Sequence, residues 1–183
     1  TTVRRIIGML RFIDIASISA PPTETGLVSL PRGRSVFIPV ASPEYIRRFG
    51  KPMQPEDLRN HAGFVYTGPV RPHTTELVRH GEKRPLEWRS RIQSTDIQMI
   101  KRAVVDGLGV AVDLPLLHCY KELESGKLEL ILNGWHRPPV PAFAVCSNSA
   151  WHIRRVRIFM QWWCDLFQRE FKQTEEVAER VLG

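Results

Sequence analysis

The 183-residue chain is predicted to be an α/β protein with a mainly parallel sheet covered by helices. Three features of residues 94–132 predict this class: a capped amphipathic helix, a Gly-x-Gly turn, and short apolar strands that alternate with helices. The alternation favours a parallel sheet because two parallel strands need a long crossover connection, which is usually a helix.

The first helix of this stretch is predicted to start near Asp96. Thr95 is the expected N-cap, and Gln98, three residues later, would complete a capping box. Apolar residues then recur at spacings of three and four and should share one buried face: Ile97, Ile100, Val104 and Leu108.

Two glycines are predicted to end that helix. Gly107 and Gly109 supply left-handed or closely packed backbone and lead into a strand at 110–112. A second helix should then follow.

Asp113 is the expected N-cap of the second helix, with Pro115 in its first turn. Gly126 is expected to end the second helix, and residues 128–132 read as a strand.

A family resemblance appears in two separate segments. Residues 106–132, DGLGVAVDLPLLHCYKELESGKLELIL, resemble a helix end, turn, strand, helix and strand in the effector-binding domain of LysR-type transcriptional regulators. Residues 36–66 are similar to that family's A-S-P-x-Y, G-x-P, P-x-D-L and H signature. The matching positions are Ala41, Ser42, Pro43, Tyr45, Gly50, Pro52, Pro55, Asp57, Leu58 and His61.

Weaker matches extend the resemblance from Asp14 to about Phe167. Asp14-Ile15-Ala16 is similar to the family's D-x-A strand, and residues 143–145 and 155–163 fit its closing strand and helix. Members also carry an N-terminal winged helix-turn-helix and an opening strand, helix and strand. Neither matches this chain, so it is expected to be an N-terminally truncated effector domain.

The resemblance implies a periplasmic-binding-protein-like (type 2) fold, with two lobes, a hinge and a ligand cleft. Residues 1–41 and 141–183, with the C-terminal helix, would form an incomplete first lobe, and residues 42–140 the second. Expected strands lie at 36–40, 64–66, 76–79, 86–93 and 142–146, with Gly81 in the turn after the third.

The resemblance also implies where an effector binds. Family members hold it with strand ends and a helix N-terminus, which favours an anion. The corresponding residues here are Ser17, Ser19, Tyr66, Thr67, Gly68, Ser94 and Thr95. Ser94 and Thr95 could equally be plain helix caps, and Ser17 and Ser19 stand where the family commonly has an arginine.

The net charge of +7 and pI near 9.8 raise the question of nucleic-acid binding. The arginines are spread from Arg4 to Arg180, and no RNP, zinc-finger or Gly-rich phosphate motif accompanies them. Arg154, Arg155 and Arg157 lie opposite a predicted apolar helix face. That face comprises Ile153, Val156, Met160, Trp163 and Phe167. We therefore expect DNA contact only through the missing N-terminal domain.

Metal binding, disulfides and catalysis are not expected. Cys119, Cys146 and Cys164 are widely spaced, which favours reduced thiols; a redox-sensing cysteine stays an alternative. No G-x-S-x-G elbow, H-E-x-x-H pair or Walker loop is present, so neither an enzyme nor a cofactor is predicted. No apolar run is long enough to span a bilayer and no signal peptide is evident, which predicts a cytoplasmic protein with no membrane contact.

The sequence thus predicts a small-molecule effector-sensing regulatory domain of a LysR-type regulator that is homo-oligomeric at full length. The first alternative is a solute-binding protein of the same fold serving transport, which a signal peptide in the full gene would favour. The second is an enzyme on this two-lobe fold, which would need a convergent acid, base or cofactor site.

Overall fold

The computed structural model describes residues 14–23, 25–68, 71–88 and 90–182. The first thirteen residues of the predicted first lobe therefore lie outside the described residues. Contacts divide the chain into two units. Unit 1 comprises residues 1–35, 69–72 and 140–173, and unit 2 comprises residues 36–68, 73–139 and 174–183. Within the described residues, no helix is both long and apolar enough to cross a bilayer.

The secondary structure alternates between strands and helices over most of the chain. The strands are β1 (Ala16–Ile18), β2 (Leu27–Ser35), β3 (Phe37–Ala41), β4 (Ala62–Tyr66), β5 (Glu76–Arg79), β6 (Glu82–Pro85), β7 (Ser90–Ser94), β8 (Val110–Pro115), β9 (Glu129–Leu130) and β10 (Val140–Ser147). The α-helices are α1 (Pro43–Phe49), α2 (Ile97–Val105), α3 (Leu116–Glu124), α4 (Asn148–Trp151) and α5 (Arg154–Leu182). Short 3-10 helices lie at Pro55–Asn60 and Leu132–Gly134.

Unit 1 is built on an antiparallel sheet with the strand order β1-β10-β2. Helix α5 covers one face, where Val156, Met160 and Cys164 pack with Ala144 and Cys146 of β10. The predicted apolar face of this helix is confirmed except for Ile153, which precedes the helix and is exposed.

Unit 2 is built on a five-stranded sheet with the order β7-β4-β8-β3-β9. Strand β4 is parallel to β7 and β8, but β3 is antiparallel to β8 and β9. The predicted mainly parallel sheet is therefore wrong, because the sheet is mixed. Strand β3 enters this sheet from β2 of the other sheet, and the alternation of helices and strands along the chain does not determine its direction beside β8 and β9.

The core of unit 2 confirms most of the amphipathic pattern of α2. Ile100 and Val104 are buried, and Ile97 packs at the edge of the same cluster. Leu108 was wrongly predicted to join them and is 62% exposed. The helix ends at Val105, and Gly107 then adopts φ +75°, which turns Leu108 away from the helical face.

The two glycines after α2 act as predicted, each for a different reason. Gly107 has the left-handed backbone. Gly109 instead lies against β4, where a Cβ atom would stand 2.6 Å from the carbonyl oxygen of Ala62. At the start of β8, the backbone of Gly109 therefore packs closely against the backbone of β4.

Asp113 does not cap the second helix, contrary to prediction. Strand β8 continues through Pro115, which is itself the N-cap of α3. Asp113 is 1% exposed, and its Oδ2 accepts a hydrogen bond from Thr74 Oγ1 at 2.7 Å. Arg137 Nη1 lies 3.8 Å from the same oxygen. A buried polar network thus holds this aspartate in the strand.

Two further predicted strands differ from the structure. The predicted strand at 86–93 is confirmed only at 90–93, because a hairpin of β5 and β6 ends at Pro85 and β7 begins only at Ser90. Gly81 does serve the hairpin turn, with φ +84°. The predicted strand at 128–132 shortens to β9, and Leu132 begins a 3-10 helix.

Candidate effector site

Two predicted site segments meet at the carboxyl ends of parallel strands in unit 2. Tyr66 is the last residue of β4 and is in register with Ser94, the last residue of β7. The backbone N–H of Thr67 donates to the carbonyl oxygen of Ser94 at 2.9 Å, which extends the ladder one residue further. The structure therefore brings Tyr66, Thr67 and Ser94 together.

Gly68 lies against the ring of Tyr66. A Cβ atom at Gly68 would collide with the hydroxyl and ring atoms of Tyr66, so any other residue here would require the Tyr66 ring to move. Gly68 is buried, while Tyr66 and Thr67 are half-buried. Solvent therefore reaches Tyr66 and Thr67, the two residues of this strand end that carry hydroxyl groups.

The helix that follows β7 is capped by Asp96 rather than by Thr95, which corrects the prediction. Asp96 Oδ1 accepts hydrogen bonds from the backbone N–H groups of Gln98 at 2.8 Å and Met99 at 3.1 Å. Ser94 Oγ in turn accepts from the N–H of Asp96 at 3.0 Å. Thr95 is exposed. Sequence reasoning missed this cap because Thr95 and Asp96 are both good N-cap residues at adjacent positions.

The cap changes what the helix N-terminus can bind. Because the carboxylate of Asp96 occupies the N–H groups of Gln98 and Met99, a carboxylate ligand cannot use those two donors. The negative charge of Asp96 also offsets the positive end of the helix dipole. A ligand at the N-terminus of α2 would therefore be held mainly by hydroxyl groups and backbone atoms.

Ser17 and Ser19 lie in unit 1. Ser17 is the middle residue of β1, and Ser19 is half-buried in the bend that follows. Ser17 Oγ accepts a hydrogen bond of 2.7 Å from Nη1 of Arg32, which reaches across the sheet from β2. No local pattern predicts this contact, because it depends on strand pairing that brings together residues 15 positions apart.

The remaining histidine, cysteine and acidic groups of the described residues form no cluster suited to a metal ion. No group of three or more histidine, cysteine or acidic side chains within these residues could hold a metal ion. All three cysteines are buried. Burial raises the pKa of Cys119 to about 12 and also raises the pKa of Cys146 and Cys164, so each is a neutral thiol at physiological pH.

The comparisons with known proteins agree with this architecture. A family model described as "LysR substrate binding domain" matches residues 5–167. The chain belongs to this family. Its fold is accordingly the two-lobe, periplasmic-binding-protein-like fold, and its role is that of an effector-sensing regulatory domain.

Curated relatives are transcriptional regulators. The chain is 29% identical to the uncharacterized HTH-type transcriptional regulator YhjC of Escherichia coli, over 76% of this chain and 47% of the relative. It is 28% identical to the HTH-type transcriptional regulator PtxR of Pseudomonas aeruginosa, over 81% of this chain and 47% of the relative. The chain thus spans about half the length of these relatives.

Solved structures show the same fold at lower identity. The regulatory domain of CrgA from Neisseria meningitidis has a TM-score of 0.70 and 23% identity, covering 86% of this chain and 76% of that one. The regulatory domain of AphB from Vibrio vulnificus has a TM-score of 0.69 and 24% identity, covering 84% and 75%.

Proposed function

We propose that this regulatory domain binds a small anionic effector through Ser94, Thr95 and the strand end 66–68 in unit 2. The family resemblance also implies effector contacts for Ser17 and Ser19 in unit 1. The observation that carries the proposal is the hydrogen bond from Thr67 to Ser94. It unites two of the predicted segments at the carboxyl edge of a parallel strand pair, where α/β proteins commonly bind ligands.

The lobes of the family correspond, in this proposal, to residues 1–41 and 141–183 and to residues 42–140. The division into units supports this assignment in outline, since it also separates residues 140–173 from the segment that precedes them.

The full-length protein would bind DNA through a helix-turn-helix domain outside this chain, as the names of the curated relatives suggest. We propose that it acts in the cytoplasm as a homo-oligomer, without catalysis. The transport alternative finds no support among these relatives, which are transcriptional regulators.

The experiment is a thermal-shift screen of the 183-residue chain with small carboxylates and their uncharged amides, followed by calorimetric titration of the hits. Replacement of Thr95 by Val keeps the side-chain shape and removes the hydroxyl. Because a hydrogen bond to a charged group is worth about 1.5 to 3 kcal/mol, we expect a loss of affinity of about tenfold to a hundredfold.

The matched control is Thr25→Val, the same change at an exposed turn of unit 1. It should leave the affinity unchanged. Equal affinity in wild type and Thr95→Val would exclude Thr95 from the site, and a screen in which amides bind as well as carboxylates would refute an anionic effector.

A further inference from the structure

Arg32 is a buried cation that two aromatic rings enclose. Its guanidinium carbon lies 3.8 Å from the ring centroid of Trp163 and 4.0 Å from that of Phe167, both on α5 in the same unit. The residue is only 5% exposed. Ring faces attract a cation, but they accept none of its hydrogen bonds in the way that an oxygen does.

The hydrogen bonding of Arg32 is incomplete. A guanidinium carries five N–H donors. Nη1 donates to Ser17, whereas Nε is buried and has no acceptor among the residues that the structure describes. A buried polar group without a partner costs free energy, so such a group requires an explanation.

The charge of Arg32 is not balanced by a carboxylate of the residues that the structure describes. Within the described part of the chain, no carboxylate lies at ion-pairing distance from Arg32; the ionisable neighbour is Cys164. Burial raises the pKa of that thiol, so it stays uncharged. Burial also lowers the pKa of Arg32 to about 10, which still leaves it charged at neutral pH.

Arg137 of unit 2 is a buried arginine whose positive charge lies beside a carboxylate. Arg137 is 6% exposed, comparable to Arg32. It has a carboxylate, Asp113, at 3.8 Å, and its Nη1 donates to Thr74 Oγ1 at 3.0 Å. The same unit also places Arg137 over the ring of Phe37. Arg32 has the aromatic and hydroxyl partners of this arrangement, but the described residues supply no carboxylate beside it.

We propose that Arg32 and Ser17 form a binding site for a small oxyanion, with a carboxylate group of the ligand in the place that Asp113 takes beside Arg137. The Nε edge of a guanidinium presents two parallel N–H groups that match the two oxygens of a carboxylate. The site thereby supplies a positive charge next to Ser17, which the strand β1 itself lacks. As a recognition site for the effector, it rests on the proposed function.

Small size is required of the ligand group, because Arg32 is almost wholly buried beneath Trp163 and Phe167. Both rings are half-buried, so their outer edges border solvent. A shift of one ring would admit a carboxylate, and the ring would then pack against the ion pair.

The test uses acetate as the probe and acetamide, its uncharged isostere, as the matched control. Titration of the ¹⁵N-labelled full chain is followed by NMR at the arginine Nε–H signals, with ionic strength held constant by chloride. We expect acetate, and not acetamide, to shift the Arg32 Nε–H signal in a saturable way. The variant Arg32→Gln removes a positive charge from a buried position of β2. The matched control, Arg34→Gln, removes the same charge from an exposed position of that strand.

Arg32→Gln should weaken acetate binding by about tenfold or more, while Arg34→Gln should change it less than about threefold. If Arg32→Gln fails to fold, the wild-type titration still decides. An Arg32 signal that acetate leaves unmoved, or that acetamide moves equally, overturns the proposal. Neither result would contradict effector binding at Thr95, because that is measured by the Thr95→Val titration.

Discussion

The hydroxyl group of Tyr45 lies 3.2 Å from Nδ1 of His61, and both residues are buried in unit 2. The Tyr45 oxygen also accepts the backbone N–H of Ala62 at 3.1 Å. Ser42, at the start of the same motif, caps α1 through a hydrogen bond from the N–H of Tyr45. The A-S-P-x-Y and H positions of the family signature thus form one structural element that fixes the start of β4.

A first prediction concerns the pH dependence of stability. Burial lowers the pKa of His61 below its ordinary value of 6.5, and this outweighs the opposing effect of Asp57. The unfolded chain then binds more protons than the folded chain below about pH 6.5, so acid favours unfolding. We expect the stabilisation to be complete above pH 6.5 and to be lost as the pH falls through the lowered pKa.

Urea unfolding at pH 7.5 and pH 5.5 measures this effect, and His61→Gln should reduce the difference between the two free energies of unfolding. His118, whose pKa burial also lowers, provides the comparison, since His118→Gln should remove a separate part of the dependence. A pH difference that is unchanged in His61→Gln would mean that this histidine already titrates normally in the folded protein.

A second prediction concerns the buried network in unit 2. Asp113→Ala would leave the cation of Arg137 buried without this carboxylate, and loss of one partner of a buried ion pair typically costs about 3 to 5 kcal/mol. Thr74→Val, which removes only hydrogen bonds, should cost less, about 1 to 3 kcal/mol. Chemical denaturation would measure both. Asp113→Ala as stable as wild type would contradict the network's role.

A third prediction separates the two adjacent cap candidates. Asp96→Ala should reduce the free energy of unfolding by about 0.5 to 2 kcal/mol, the usual cost of losing an N-cap. Thr95→Val should change it by less than about 0.5 kcal/mol, as for an exposed residue away from a cap. Denaturant midpoints provide the measurement, and the reverse order of the two costs would restore Thr95 as the cap.

A fourth prediction concerns the turn into β8. Gly109→Ala forces a methyl group against the backbone oxygen of Ala62, which cannot move without shifting β4, and should cost about 1 to 3 kcal/mol. Gly126→Ala meets no atom within 4 Å but keeps φ +70°, so it should cost about 1 to 2 kcal/mol through backbone strain alone. Crystal structures of both variants would show displacement of β4 only in the first. An unshifted β4 in Gly109→Ala would refute this account.

Local patterns in the sequence were enough to predict the elements of the 94–132 region. The spacing of Ile100 and Val104 marks the buried face of α2, and Gly107 and Gly126 mark two helix ends. Helical periodicity and left-handed glycines are local properties of the chain, so a single sequence carries them. Leu108 was misplaced because periodicity alone does not say at which residue the helix stops.

Long-range pairing could not be predicted in the same way. Asp113 followed by Pro115 reads as a helix start, yet Thr74, 39 residues earlier, holds Asp113 in the strand. The antiparallel direction of β3 and the contact of Arg32 with Ser17 also depend on which strands become neighbours. The resemblance to a family is the source of the proposed site segments at 66–68 and 94–95, but it did not predict the carboxylate of Asp96 beside them.

The most direct test of the proposed effector site is hydrogen–deuterium exchange of the chain with and without a carboxylate obtained from the screen. We expect the ligand to slow exchange in three segments: residues 17–19, 66–68 and 94–95. Protection confined to another surface would contradict this expectation. The apolar pocket of about 430 Å³ that Tyr120, Leu128 and Val177 help to line in unit 2 is the natural comparison. Protection there, with none at Thr67 and Ser94, would place the effector elsewhere.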